Sequence, residues 1–277
     1  MLLGGIALLS VLITAAVCLL SGAFLTQAWL WVLPVTLLGS VLGLVSLAFI
    51  FLWILSLLVD RNKPQEHDSK FYRAVLNLYI DAIIKVARIK VKTSGLEQIP
   101  QTGRFLLVSN HLDNVDPAFL LTYFRKHPIA FISKKEVQDY FLIGKLMHKI
   151  LCQPIDREND REALKTILKC ISLIKEDKVS VAVFPEGYIL PHRKFHSFRP
   201  GVFKIAQKTK VPIVVCTLRD TQYAVKNFLH LKPSTVELRL LKVVQPEEYA
   251  ELSTVELSHM IYEMMKEDLG PERVAEE

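Results

Sequence analysis

In Phe105-Leu-Leu-Val-Ser-Asn-His111-Leu-Asp-Asn-Val-Asp116-Pro117 an apolar run stops abruptly at a histidine, and an aspartate follows five residues later. Phe105 to Val108 predicts a short, fully buried strand. Asp116-Pro117 predicts a helix start, with Asp at the N-cap and Pro at the first helical position. His111 then lies in a strand-to-helix loop. On one regular helix, residues five apart point about 140° away from each other, so the two side chains cannot cooperate there, whereas a turn can fold them together. Imidazole takes protons near neutral pH, and a carboxylate on its other nitrogen fixes the tautomer and stabilises the imidazolium that forms. Such a pair can deprotonate a hydroxyl. Taken alone, the same two residues also read as an ordinary N-cap and a loop histidine, so the neighbouring stretches carry the decision.

Downstream of Gly95 and Pro100, short apolar strands alternate with helices, the pattern of an α/β domain whose mostly parallel sheet is flanked by helices. Strands are expected at Phe105 to Val108, Ile129 to Ile132, Val179 to Phe184, Ile213 to Thr217 and Val236 to Val244. Helices are expected at Pro117 to Lys126, Lys135 to Ile150, Asp160 to Glu176, Val202 to Lys208 and Thr254 to Leu269. One strand runs directly into Phe184-Pro185-Glu186-Gly187, placing a carboxylate and flexible backbone at a strand end, where open α/β sheets build sites. The loop after it carries His192, Arg193, Lys194, His196 and Arg199, suited to holding phosphate or equally to facing solvent. Arg157 ends another apolar run. Its planar fork suits bidentate phosphate binding, and an ion pair with Asp156 or Glu158 is the plainer role.

Outward from this domain, composition limits the rest. The 277 residues are 51% hydrophobic with a net charge of +6, yet from Met1 to Val59 there is no charged side chain. That length exceeds a buried core helix and predicts a two-helix transmembrane hairpin over 1–59, from Met1 to about Phe24 and from Ala28 to Val59. Trp29 and Trp31 fit an interfacial aromatic belt, and Gly39 with Gly43 forms a small-xxx-small pair that permits close helix packing. A cleaved secretory signal over Met1 to about Ala28 is the alternative, though it lacks a positive n-region. Arg61 and Lys63 follow the second span, which puts the large domain on the cytoplasmic face of the cell membrane. Residues 60–95 are expected as an interfacial amphipathic helix, Phe71 to Ile89, and a linker; the helix can lie on the membrane or cover the sheet. The α/β domain then spans 96–277.

All of the excess positive charge belongs to the residues after Val59, which favours anionic lipid or phosphorylated partners beside a bilayer. No nucleic-acid recognition motif accompanies it. The four cysteines are far apart and show no metal-ligand spacing, so no metal site is expected and a reduced compartment fits.

Asn110, His111 and Asp116, then Arg157, then Phe184-Pro185-Glu186-Gly187, then Val211-Pro-Ile-Val214 occur in the order and spacing of the glycerolipid acyltransferases. Over roughly Lys90 to Arg219 the chain resembles that family's bacterial 1-acylglycerol-3-phosphate type. The resemblance implies acyl transfer from a thioester of coenzyme A or acyl carrier protein to the free hydroxyl of a lysophospholipid, without a further cofactor. It implies His111 as base with Asp116 orienting it, Asn110, Glu186 and Gly187 in the acceptor site, and Arg157 on the acceptor phosphate. Transfer is expected to be direct, with backbone donors stabilising the oxyanion and no serine or cysteine nucleophile, since no G-x-S-x-G elbow is present. One departure stands out: the family has Thr-Arg after the glycine, and this chain has Tyr188-Ile189. Arg193, Lys194 or Arg199 is the candidate replacement for the missing arginine. The alternatives are a different lysophospholipid or glycolipid acceptor, or a membrane-tethered lipid-binding module without turnover.

Overall fold

The computed structural model describes residues 1–275, and its contacts divide the chain into a unit over Met1–Lys63 and a second from Pro64 onward. The first unit is a helical pair, α1 (Leu2–Leu20) and α2 (Trp29–Leu57), joined by a short 3-10 turn. At 1.5 Å per residue they are about 28 and 43 Å long, so both are long and apolar enough to cross a hydrocarbon core of about 30 Å. They pack through the Ser10, Thr14 and Cys18 face of α1, with Ser40 donating to the Ser10 carbonyl. The expected Gly39 and Gly43 contact is absent. A Cβ added at either glycine would meet nothing within 4 Å, because both face outward from the pair.

The second unit is built on a sheet of order β1-β7-β6-β2-β5-β3-β4. Its strands are β1 (Ile89–Ser94), β2 (Leu106–Ser109), β3 (Ile129–Lys134), β4 (Gln153–Ile155), β5 (Ser180–Val183), β6 (Ile213–Arg219) and β7 (Ser234–Val244). All neighbours pair in parallel except β6 with β7. The central strands β2 and β5 are buried along their whole length, as continuous apolar runs in a parallel sheet must be. Alternation along β2 sends Leu106 and Val108 to one face and Phe105 and Leu107 to the other. The first face is covered by α6 (Asp160–Lys175), α7 (Lys204–Thr209) and α9 (Thr254–Leu269). The second is covered by α3 (Lys70–Val86), α4 (Asp116–Tyr123), α5 (Ile143–Lys149) and α8 (Gln222–Leu229). The result is a three-layer α/β sandwich.

Several elements differ from the sequence expectation. Of the two readings of the helix in 60–95, the one that covers the sheet is seen, with α3 packing Leu76, Ile80 and Ile84 against it; the stretch expected as linker differs, since Ile89–Ser94 is an edge strand. Spacing by four places those three side chains on one helix face, which the sheet covers. The single helix expected over Lys135 to Ile150 is broken into a 3-10 turn, Lys135–Asp139, and α5. Gly144 explains the break, since a Cβ there would stand 1.8 Å from the Gln138 carbonyl; the turn lies directly on the glycine. α8 has no counterpart in the sequence expectation; it buries Ala224 and leaves Tyr223, Val225, Phe228 and Leu229 exposed.

Candidate active site

β2 and β5 are adjacent and parallel, so the loops leaving their carboxyl ends, 110–115 and 184–199, meet. Asn110 is the first residue past β2. Its side-chain amide donates to the Leu218 carbonyl at 2.9 Å and its oxygen accepts from the Leu218 N–H at 2.7 Å. Fully buried, it fastens the loop to β6, and it is not among the residues that line the cavity described below.

His111 Nδ1 lies 2.8 Å from Asp116 Oδ2. The same oxygen accepts the N–H groups of Leu112 at 2.7 Å and Asp113 at 2.8 Å. Asp116 is therefore not the N-cap; it is the first residue of α4, and its carboxylate folds back to close the loop around the histidine. A carboxylate only accepts, so Nδ1 carries the imidazole proton and Nε2 keeps its lone pair. Asp116 is fully buried, and its Oδ1 has no partner among the described residues.

The ring of His111 stacks on Phe184, with centroids 4.2 Å apart and planes 14° apart. Glu186 is buried and works on the backbone: Oε1 accepts the His111 N–H at 2.6 Å and Oε2 accepts the His196 N–H at 3.0 Å. Burial raises its carboxyl well above the ordinary carboxylate value, against the opposing pull of those two donors. Glu186 thus ties the histidine loop to the loop after β5. Arg193 adds a second tie, donating to the Leu112 carbonyl at 2.8 Å and pairing with Asp113 at 3.2 Å. These bonds occupy the N–H groups of His111, Leu112 and Asp113, so those three are not available as the expected backbone oxyanion donors.

Beside the pair lies a cavity of about 330 Å³. Ile132, Ile155, Leu164, Ile167, Val183 and Val202 give it apolar walls, and Arg157, Arg199 and Lys204 are its cations. Phe184, Pro185 and Gly187 line it as well, whereas His111 does not; Phe184 is the residue common to the His111 stack and the cavity. Arg157 makes no ion pair with Asp156 or Glu158; Asp156 pairs instead with Lys135 at 3.8 Å. Burial, and then the facing Arg199, lower the pKa of Arg157. Three cations, two of them arginines that repel each other, against the single acid Asp160 at the rim, leave the cavity suited to an anion.

Cysteine chemistry is not available here. Cys152 and Cys170 are buried thiols pushed up to about 11 and about 12, and burial raises Cys216 further. Ser109 is fully buried, with its hydroxyl on the Asn110 carbonyl.

Residues 90–219 match the family described as Acyltransferase. Over 209 residues the chain is 32% identical to a probable 1-acyl-sn-glycerol-3-phosphate acyltransferase of Mycoplasma pneumoniae, covering 71% of this chain and 75% of that one. This chain belongs to the acyltransferase family. A 1-acyl-sn-glycerol-3-phosphate acyltransferase of Cocos nucifera is 29% identical over 163 residues, 57% of this chain and 53% of the relative. The crystal structure of the 1-acyl-sn-glycerophosphate acyltransferase from Thermotoga maritima shares the fold, with a TM-score of 0.57 and 23% identity over 82% of this chain and 89% of that one.

Within this acyltransferase, the three candidates for the missing arginine separate. Arg193 is committed to the histidine loop, and Lys194 is not among the cavity's lining residues. Arg199 lines the cavity, and its stem runs against Gly187: a Cβ there would stand 3.1 Å from Arg199 Cδ and Nε. Gly187 has φ +84°, so glycine is needed both for the turn and for the arginine's approach. Lys204 was missed in the sequence, where a lone lysine at a helix start carries no signal.

Proposed function

We propose that this acyltransferase moves a fatty acyl group from acyl-CoA or acyl-ACP to the free hydroxyl of 1-acylglycerol-3-phosphate, giving phosphatidic acid. The observation that carries the reading is the Asp116-held His111 stacked on Phe184, which opens onto an apolar cavity with an arginine pair. The acceptor's chain suits the apolar walls, and its phosphate suits Arg157 and Arg199. The relatives named as 1-acyl-sn-glycerol-3-phosphate acyltransferases support that acceptor.

In the step, His111 Nε2 takes the proton of the acceptor hydroxyl as its oxygen attacks the thioester carbonyl. Asp116 stabilises the imidazolium. The tetrahedral intermediate collapses, the C–S bond breaks, and the leaving thiolate takes the proton back from the imidazolium. The ester and a free thiol are the products, and no covalent enzyme intermediate forms. α1 and α2 anchor the enzyme in the membrane, and Arg61 and Lys63 after the second helix put the α/β unit on the cytoplasmic face.

The experiment is mass spectrometry of products from purified enzyme given both thioesters and a mixed pool of lysophospholipid and glycolipid acceptors. Phosphatidic acid is expected as the main product, and His111→Ala is expected to lower its formation by about 10² to 10⁴-fold. A dominant product from another acceptor overturns the substrate, and a folded His111→Ala enzyme with near-normal turnover overturns the mechanism.

A further inference from the structure

We propose that the α/β unit makes a membrane contact of its own, in which an apolar tip formed by Val86, Phe228, Leu229 and Leu231 enters the headgroup region of an anionic bilayer. These side chains are 54%, 42%, 73% and 78% exposed, high values for aliphatic and aromatic groups clustered in one place. They are neighbours in space because the Arg88 guanidinium donates to the Leu231 carbonyl and the Ser234 N–H donates to the Arg88 carbonyl, closing a crevice bordered by Val86, Phe228 and Leu231.

Charge selects the occupant. Lys85 and Arg88 flank Val86, and Lys226 and Lys232 flank the other three, while residues 82–90 and 221–233 contain no acid. An apolar tip in a ring of cations matches an anionic lipid surface, where the tip is buried and the ring meets headgroups. A second copy of this chain would set like-charged rings against each other.

Topology places the tip where a lipid-handling site needs it. β6 runs parallel to β2, leaves the sheet at Arg219, and β7 re-enters at Ser234. Residues 220–233 therefore stand at the end of the sheet where β2 delivers His111. β3 ends at the same end, and Tyr140, Phe141 and Ile143 beyond it are 49%, 66% and 52% exposed. β3 and β7 are four strand spacings apart, about 19 Å. The two projections bracket β2 and β5. The turns at the opposite end, 101–103, 125–128, 176–178 and 208–210, carry no exposed large apolar side chain, and Val255, beyond the end of β7, is a lone one at 65%.

The contact is tested by depth, independently of which acceptor the enzyme uses. A nitroxide is attached at Leu229→Cys in the full chain, reconstituted in phosphatidylcholine–phosphatidylglycerol vesicles, with Thr102→Cys as the opposite-end control. The native cysteines are all buried, so labelling is selective. At 229 the label should collide readily with oxygen and be shielded from a water-soluble nickel chelate, with the reverse at 102. Water-like accessibility at 229, or spin–spin broadening there that reveals a second copy, overturns the proposal. As a second measurement, Leu229→Asp with Leu231→Asp should lower turnover of vesicle-borne acceptor by on the order of tenfold, and leave turnover in detergent micelles within about twofold. Equal losses in both media overturn it as well.

Discussion

Replacing Asp116 with asparagine separates the charge of the carboxylate from its geometry. Asparagine's oxygen can occupy the place of Oδ2 and keep the N–H groups of Leu112 and Asp113, now at 2.7 and 2.8 Å, so the loop and the start of α4 should hold. What disappears is the negative charge beside the imidazole, 2.8 Å from Nδ1, with the carboxylate side chain fully buried and the imidazole 16% exposed. For charge centres about 4 Å apart at an effective dielectric of about 20, the lost interaction is about 4 kcal/mol. His111 becomes positive only as it takes the proton, so the loss falls on the transition state: kcat should drop on the order of 10³-fold, with acceptor KM nearly unchanged. The assay is steady-state acyl transfer in detergent with both substrates varied, beside a thermal melt of the same preparations. An Asp116→Asn enzyme that melts normally and keeps more than about a tenth of wild-type kcat would refute the role given to the charge.

Arg157→Ala and Arg199→Ala should each raise acceptor KM, by about 10- to 150-fold if each gives one charged hydrogen bond of 1.5–3 kcal/mol, with donor KM little changed. An unaltered acceptor KM in the Arg199 variant would remove it from the phosphate site. Glu186 gives a pH signature. Its folded pKa lies well above the ordinary 4.5, so the native chain holds an extra proton between the two values. The stability this contributes is complete below the unfolded value and is lost as pH rises through the folded one. Relative to Glu186→Gln, the wild-type melting temperature should therefore fall steadily as pH is raised from about 4, and a pH-independent difference would contradict the burial account.

Much of this protein is written locally in its sequence. The uncharged run to Val59, the four-residue spacing of Leu76, Ile80 and Ile84, and the continuous apolar runs of β2, β5 and β6 each declare an element, because length and periodicity depend on neighbours along the chain. The ordered blocks from Asn110 to Val214 likewise marked which family the chain belongs to. Tertiary structure decided how those residues are used. Asn110 bonds Leu218 and Glu186 bonds the His111 backbone across sequence separations of 108 and 75 residues, contacts that exist only because β2 lies between β5 and β6. No spacing rule distinguishes Arg193 from Arg199. The turn at Gly187 does, by letting one guanidinium lie along the cavity while the other is drawn to Asp113. Sequence sets what each residue can do chemically; the pairing of distant strands sets which groups meet and which are buried, and so brings a histidine on a buried carboxylate beside a cavity with two arginines.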